Sequence, residues 1–156
     1  MKYAAALLLS LLPLLATAME PGEPLAPFTL LDQHDKAYTL SADTRVLLVA
    51  RDMDGAKLVK AALADAPKDY LEARKAVFVA DIQRMPALVS KLFAIPAMRG
   101  YSYRVLLDRE GRVASRYPGQ PGQVQWLQLQ EGRLVSQQAF TDAAALKAAL
   151  ERAPLQ

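Results

Sequence analysis

Two short stretches concentrate the side chains able to do chemistry. The first is Arg51-Asp52-Met53-Asp54 and the second Arg99-Gly100-Tyr101-Ser102-Tyr103-Arg104. Two carboxylates beside a guanidinium can hold a charged ligand. They can equally form a local ion pair, Arg51–Asp52 or Arg51–Asp54, with a helix cap beside it. Acid–base hydrolysis by Asp52 and Asp54 is a third reading, weakened because carboxylates two apart need not converge. The second stretch is the densest aromatic and guanidinium cluster of the chain, a composition favoured at recognition surfaces. Its plain alternative is a loop whose tyrosines cover a sheet edge.

Other chemistry is removed by count. The 156 residues hold no cysteine and one histidine, so there is no thiol nucleophile, no disulfide and no thiolate metal ligand. Relays or zinc sites needing two imidazoles go with them. Met53, Met85, Met98 and His34 are the soft ligands that could suit Cu(I), but they are scattered along the chain. His34, between Gln33 and Asp35, reads as a turn residue, and methionine is usually a core filler. No metal is expected; an acidic calcium loop would need further oxygen ligands beyond Asp52 and Asp54. The glycines at 22, 55, 100, 111, 119, 122 and 132 assemble no phosphate-binding fingerprint. No cofactor is therefore expected. Flavin, which binds without such a fingerprint, remains the alternative. A net charge of +3 is too small for a nucleic-acid surface.

These residues need elements to position them. Lys2, the apolar run Ala4 to Leu15 and Ala16-Thr17-Ala18 read as a signal peptide over residues 1–18, cut after Ala18. The run is shorter than the ~20 residues that cross a bilayer, so no membrane span is expected after cleavage. An exported, periplasmic protein follows. Residues 19–156, with ordinary globular composition, are expected to form one domain.

Within them, 28–31 and 37–40 read as a strand–turn–strand. Val46–Ala50 and Ala76–Ala80 are continuously apolar, as in strands covered on both faces. Asp54 is expected to cap a helix carrying Leu58, Val59, Ala62, Leu63 and Ala66. Pro86 suits the first turn of another, with Leu88, Val89, Leu92 and Phe93 as its inward face. Val105–Leu107 leads to the turn Asp108-Arg109-Glu110-Gly111 and a polar strand through Val113 and Ser115. On that strand Arg112 and Arg116 would be edge charges that block pairing. A strand pair over 124–129 and 134–140 and a helix capped by Thr141 complete the chain. The order predicts an α/β sandwich: a mixed central sheet with helices on both faces.

The opening Gly22-Glu23-Pro24-Leu25 and Phe28-Thr29-Leu30-Leu31-Asp32-Gln33, the Val46–Ala50 strand with its following loop, and Leu106-Leu107-Asp108-Arg109-Glu110-Gly111 together resemble exported thioredoxin-like proteins of the thiol–disulfide and peroxiredoxin type. The resemblance spans nearly all of 20–150. It implies a thioredoxin-like three-layer sandwich with an N-terminal strand extension. It also implies that the family's cysteine pair would fall near Gly55 and Leu58, where neither residue can form a thiolate. The family's cis-proline, normally about eight or nine residues before the hairpin glycine, would fall near Ser102 or Tyr103, neither of them proline. Thiol–disulfide exchange and thiol peroxidase activity are therefore excluded. The resemblance further implies that Arg99–Arg104 lies beside the vacated loop. The expectation is a redox-inactive binding or accessory protein of the cell envelope. It would engage an envelope protein or small ligand through Arg51, Asp52, Asp54, Arg99, Tyr101, Tyr103 and Arg104. A cofactor-dependent, flavin-type oxidoreductase is the alternative.

Overall fold

The two fully apolar runs become the central strands of one sheet. A computed structural model of the protein describes residues 19–155, so the leader read over 1–18, with its cut after Ala18, lies outside the described residues. Strand β1 (Thr29–Leu31) pairs antiparallel with β2 (Ala37–Thr39) as a small separate ribbon. Strands β3 (Val46–Ala50), β4 (Ala76–Asp81), β5 (Leu106–Asp108), β6 (Val124–Gln130) and β7 (Arg133–Phe140) form the main sheet in the order β5-β4-β3-β6-β7. The β3–β4 and β4–β5 pairs are parallel, and β3–β6 and β6–β7 antiparallel. This is the mixed α/β sheet that the sequence implies.

Alternation along β3 sorts the core into two layers. Val46, Leu48 and Ala50 face one cluster with Val59 and Leu63 from the α1 (Met53–Ala62) region, and Leu146 and Leu150 of α4 (Ala143–Arg152). Leu47 and Val49 face the other, with Leu25, Phe28, Leu30, Val113 and Tyr117. Both faces are covered, but unequally. Strands β3, β4 and β5 step across the sheet in one direction, so right-handed crossovers put both helical connections on the same side. The opposite side is covered by the N-terminal segment and one short 3-10 turn, Ala114–Arg116.

Four local expectations need correction. First, the polar strand through Val113 and Ser115 is that 3-10 turn. Buried Asp108 accepts from the Val113 and Ala114 N–H groups at 2.9 and 2.7 Å and bends the chain back. Arg112 and Arg116 are accordingly not edge charges; they donate to the carbonyls of Thr29, Ala26 and Pro27. Second, the turn at 108–111, which the resemblance matched to the family's hairpin, joins no antiparallel pair: Leu106–Asp108 pairs in parallel with β4, while the antiparallel hairpin is β6–β7, the expected strand pair, turning at Glu131-Gly132. Third, α4 is capped by Asp142, whose carboxylate accepts from Ala145 N–H at 3.0 Å, not by Thr141.

The fourth is the face of the helix after Pro86. That helix runs continuously as α2 (Ala87–Val89), a π turn (Ser90–Ala94) and α3 (Ile95–Met98). Leu88, Val89, Leu92 and Phe93 do share a face, but it is exposed, while Ser90, Ile95 and Met98 are buried. Pro96 lacks an N–H, and in α geometry its ring would strike the carbonyl four residues back. The wider turn, closed by Ile95 N–H to Ser90 C=O, relieves this and rotates the face by about one residue.

Candidate functional site

The parallel strand β3 delivers Arg51 and Asp52 to its carboxyl end, where open α/β sheets hold ligands. Asp52, in extended conformation, is the N-cap of α1. One carboxylate oxygen accepts from Gly55 N–H and the other from Gly122 N–H, both at 2.8 Å. It therefore ties the start of α1 to the loop before β6. The expected cap, Asp54, is instead an exposed first-turn residue. There its charge complements the free N–H groups of the helix start.

Gly55 is buried, and a Cβ placed on it would stand 2.7 Å from the Gln123 carbonyl oxygen and 3.3 Å from Ala50 Cβ. The obstruction is backbone and cannot swing aside. The position the resemblance gives to the first cysteine thus has no room for any side chain. Leu58, the second position, packs partly buried against the core. The hairpin glycine is Gly132, so the about nine-residue spacing to the family's cis-proline points to Gln123 or Val124 rather than Ser102 or Tyr103. Residues 118–122 read as a loop and 124–129 with 134–140 as a strand pair from the sequence, but the resemblance was matched at 106–111, one strand too early. The signal was present in Pro118-Gly119-Gln120-Pro121-Gly122 just ahead of β6.

Arg51 forms neither expected ion pair. The ion pairs among the described residues are Lys75–Asp43, Arg99–Asp35 and Arg104–Asp32. Its Nε is buried without a hydrogen-bond partner among the described residues, a costly condition for a guanidinium N–H.

The Arg99–Arg104 segment does not lie beside Arg51. Arg99 donates from Nε to the Gln33 carbonyl at 2.9 Å and sits 3.6 Å from the Asp35 carboxylate. Arg104 Nε is 3.6 Å from Asp32, with its guanidinium carbon 5.2 Å from the Tyr38 ring centre. Tyr101 stacks on Tyr103 at 5.1 Å and lies under Lys60, from the last turn of α1. Arg104 also lines a cleft of about 260 Å³ with Tyr38, Glu72, Lys75 and Phe78. These neighbours mark the amino ends of β4 and β5, whereas Arg51 is at the carboxyl end of β3. A five-residue strand separates the two groups by roughly 16 Å. The sequence could not show this, because residues just before a parallel strand sit opposite residues just after its neighbour. Tyr103 itself is core, and burial, reinforced by Tyr101, pushes its phenol well above the usual range.

Gln33 holds this second segment in place and was not anticipated. It is 1% exposed. Its side chain donates to the Met98 and Tyr103 carbonyls at 3.3 and 2.8 Å and accepts from Val105 N–H at 2.9 Å. Of the soft ligands, Met98 is core and Met85 packs against it, while Met53 is exposed at the start of α1 and His34 in the β1–β2 turn.

No family model matches the sequence, and no curated protein matches it. Solved structures do. A peroxidoxin, BcpB, from Mycobacterium tuberculosis superposes with a TM-score of 0.54 at 21% identity, covering 88% of this chain and 99% of that one. A thio-disulfide isomerase from Thermus thermophilus gives 0.53 at 25%, over 88% and 99%. An exposed lipoprotein thioredoxin from Streptococcus pneumoniae gives 0.50 at 20%, over 81% and 98%. The fold is thioredoxin-like, and the chain carrying it has no cysteine.

Proposed function

We propose that this is an exported, non-catalytic binding protein of the cell envelope, a thioredoxin-like scaffold that engages its partner at the carboxyl end of β3. The absence of any cysteine carries the redox-inactive half of this reading, and at Gly55, near which the resemblance sets the first cysteine, the Gln123 carbonyl stands where a side chain would begin. Arg51 supports the binding half. Its Nε has no hydrogen-bond partner among the described residues, so its positive charge is not committed to the fold and suits an anionic group on an envelope protein or small ligand. Asp52 belongs to the scaffold, both its oxygens being used. Arg99, Tyr101, Tyr103 and Arg104, engaged with partners inside the fold, support the structure rather than the contact. Export rests on the 1–18 leader, and the similarity to an exposed lipoprotein agrees with it.

The test is cross-linking in intact cells followed by mass spectrometry of captured neighbours, for the wild type, Arg51→Ala and Tyr101→Ala. Capture of one envelope component should fall at least about tenfold in Arg51→Ala, the scale of a lost charge-assisted contact. It should persist in Tyr101→Ala, with melting of Arg51→Ala unchanged. Normal capture by Arg51→Ala would refute the site. A stoichiometric visible chromophore in protein purified from the envelope would replace the whole reading with a cofactor-dependent oxidoreductase.

A further inference from the structure

Four of the eight large hydrophobic side chains exposed among the described residues fall within six positions of one helix. They are Leu88 at 69%, Val89 at 43%, Leu92 at 54% and Phe93 at 69%. Pro86, Ala87, Pro96 and Ala97 around them are exposed as well, and Lys91 is the one exposed polar side chain between Pro86 and Ala97. The surface is therefore apolar, with almost nothing able to make a hydrogen bond. From Ile82 to Leu107 there are four cations, Arg84, Lys91, Arg99 and Arg104, and no acid; Arg99 and Arg104 are paired with Asp35 and Asp32, which leaves Arg84 and Lys91 uncompensated among the described residues. The acids that bracket the stretch, Asp81 and Asp108, are buried. Arg84 and Lys91 are exposed and have no ion pair among the described residues.

We infer that the 86–97 helix docks the protein peripherally on an anionic bilayer surface, Leu88, Val89, Leu92 and Phe93 entering the interface and Arg84 and Lys91 facing the headgroups. A bilayer asks for no directional partners, and apolar side chains flanked by cations are what its surface receives. A protein interface would call for a polar rim with a hydrogen bond every ~100–200 Å², which this face cannot supply. A second copy would set Arg84 and Lys91 against their own like charges. The π turn is the device that presents the patch, since it is what turns these residues outward. This inference stands apart from the Arg51 site and uses none of its residues.

The absence of cysteine makes the experiment direct. The protein from Met19 onward, which holds every described element, is labelled through Ala97→Cys with an environment-sensitive dye. It is then mixed with vesicles of phosphatidylcholine containing phosphatidylglycerol. A blue shift and co-sedimentation are expected, at least about tenfold weaker on pure phosphatidylcholine and at high salt. Leu92→Ser/Phe93→Ser should weaken binding by about tenfold or more with unchanged melting, because both side chains are already exposed. Lys91→Glu should weaken it too. Failure to bind the anionic vesicles, or equal binding by the double serine variant, overturns the proposal. So does a concentration-dependent dimer abolished by that variant, which would give the face to a second copy. Binding of polyglutamate through the patch without vesicle binding would give it to an acidic protein instead.

Discussion

Tyr103 shows how a residue's type can be read correctly and its role missed. Its place in an aromatic, basic run suggests recognition, and only the three-dimensional neighbours reveal a core residue stacked on Tyr101 and tilted against Phe78. No periodicity betrays this, because the segment is irregular and its partners come from elsewhere in the chain. Burial first, and Tyr101 second, raise the Tyr103 phenol; burial raises Tyr117 also, with Arg116 opposing. A raised folded value means that the folded state keeps a proton the unfolded chain gives up above about pH 10. The stabilisation is complete below that value and declines as pH climbs towards the folded one. Tyr103→Phe has no proton to lose. Denaturant melts at pH 7 and pH 11 should show little change in the first and a smaller alkaline loss than wild type in the second. An equal alkaline loss would place the sensitivity elsewhere, with Tyr117 the next candidate.

At the scale of elements, the sequence was most legible where one signal dominates. The continuous runs at 46–50 and 76–80 became buried strands because nothing competes with their hydrophobicity. The 87–98 helix was misread because it is apolar nearly all round, so periodicity offers two inward faces and Pro96 decides between them. The start of α1 was ambiguous in the same way: Asp52 and Asp54 both satisfy N-cap composition. The structure gives Asp52 two tasks, the helix cap and the hydrogen bond to Gly122 N–H. Gly122 has a φ of +77°, a conformation that L side chains resist. Asp52→Ala removes a cap worth ~1 kcal/mol and strands a loop N–H at a further ~1–2 kcal/mol. Urea midpoints should therefore show a loss of about 2–3 kcal/mol for Asp52→Ala and under about 0.5 kcal/mol for Asp54→Ala. The reverse ranking would restore Asp54 as the cap and detach α1 from the 118–123 loop.

The whole molecule depends on a strap that the sequence showed only as an opening pair of strands. Gly22 N–H reaches Leu134 C=O, Leu25 N–H reaches Gly132 C=O, and Arg133 donates to Gly22 C=O, all at the β7 edge. Seven residues after Leu25, Asp32 bridges to Leu106 on β5, the opposite edge of the sheet. Five strands span about 19 Å between their outer axes, and seven residues reach ~23 Å, so the chain must cross nearly extended. On the way Leu25, Phe28 and Leu30 bury themselves against Leu47, Val49, Val79, Leu106 and Leu127. Arg112 and Arg116 clamp the crossing from the 3-10 side, and Gln33 locks its far end. Among the described residues no α-helix lies there to substitute. A chain starting at Ser41 would expose that whole face, forfeiting about 1.5–3 kcal/mol for each of three large side chains. That is most of a domain's usual ~5–15 kcal/mol. Far-UV circular dichroism of the truncated chain should stay α/β, while near-UV signal disappears and ANS fluorescence rises. Arg112→Ala/Arg116→Ala should lower the melting temperature without unfolding the protein. A cooperatively folded truncated chain would show that the five-stranded sheet and its single helical layer suffice, and that the strap is an attachment rather than half of the core.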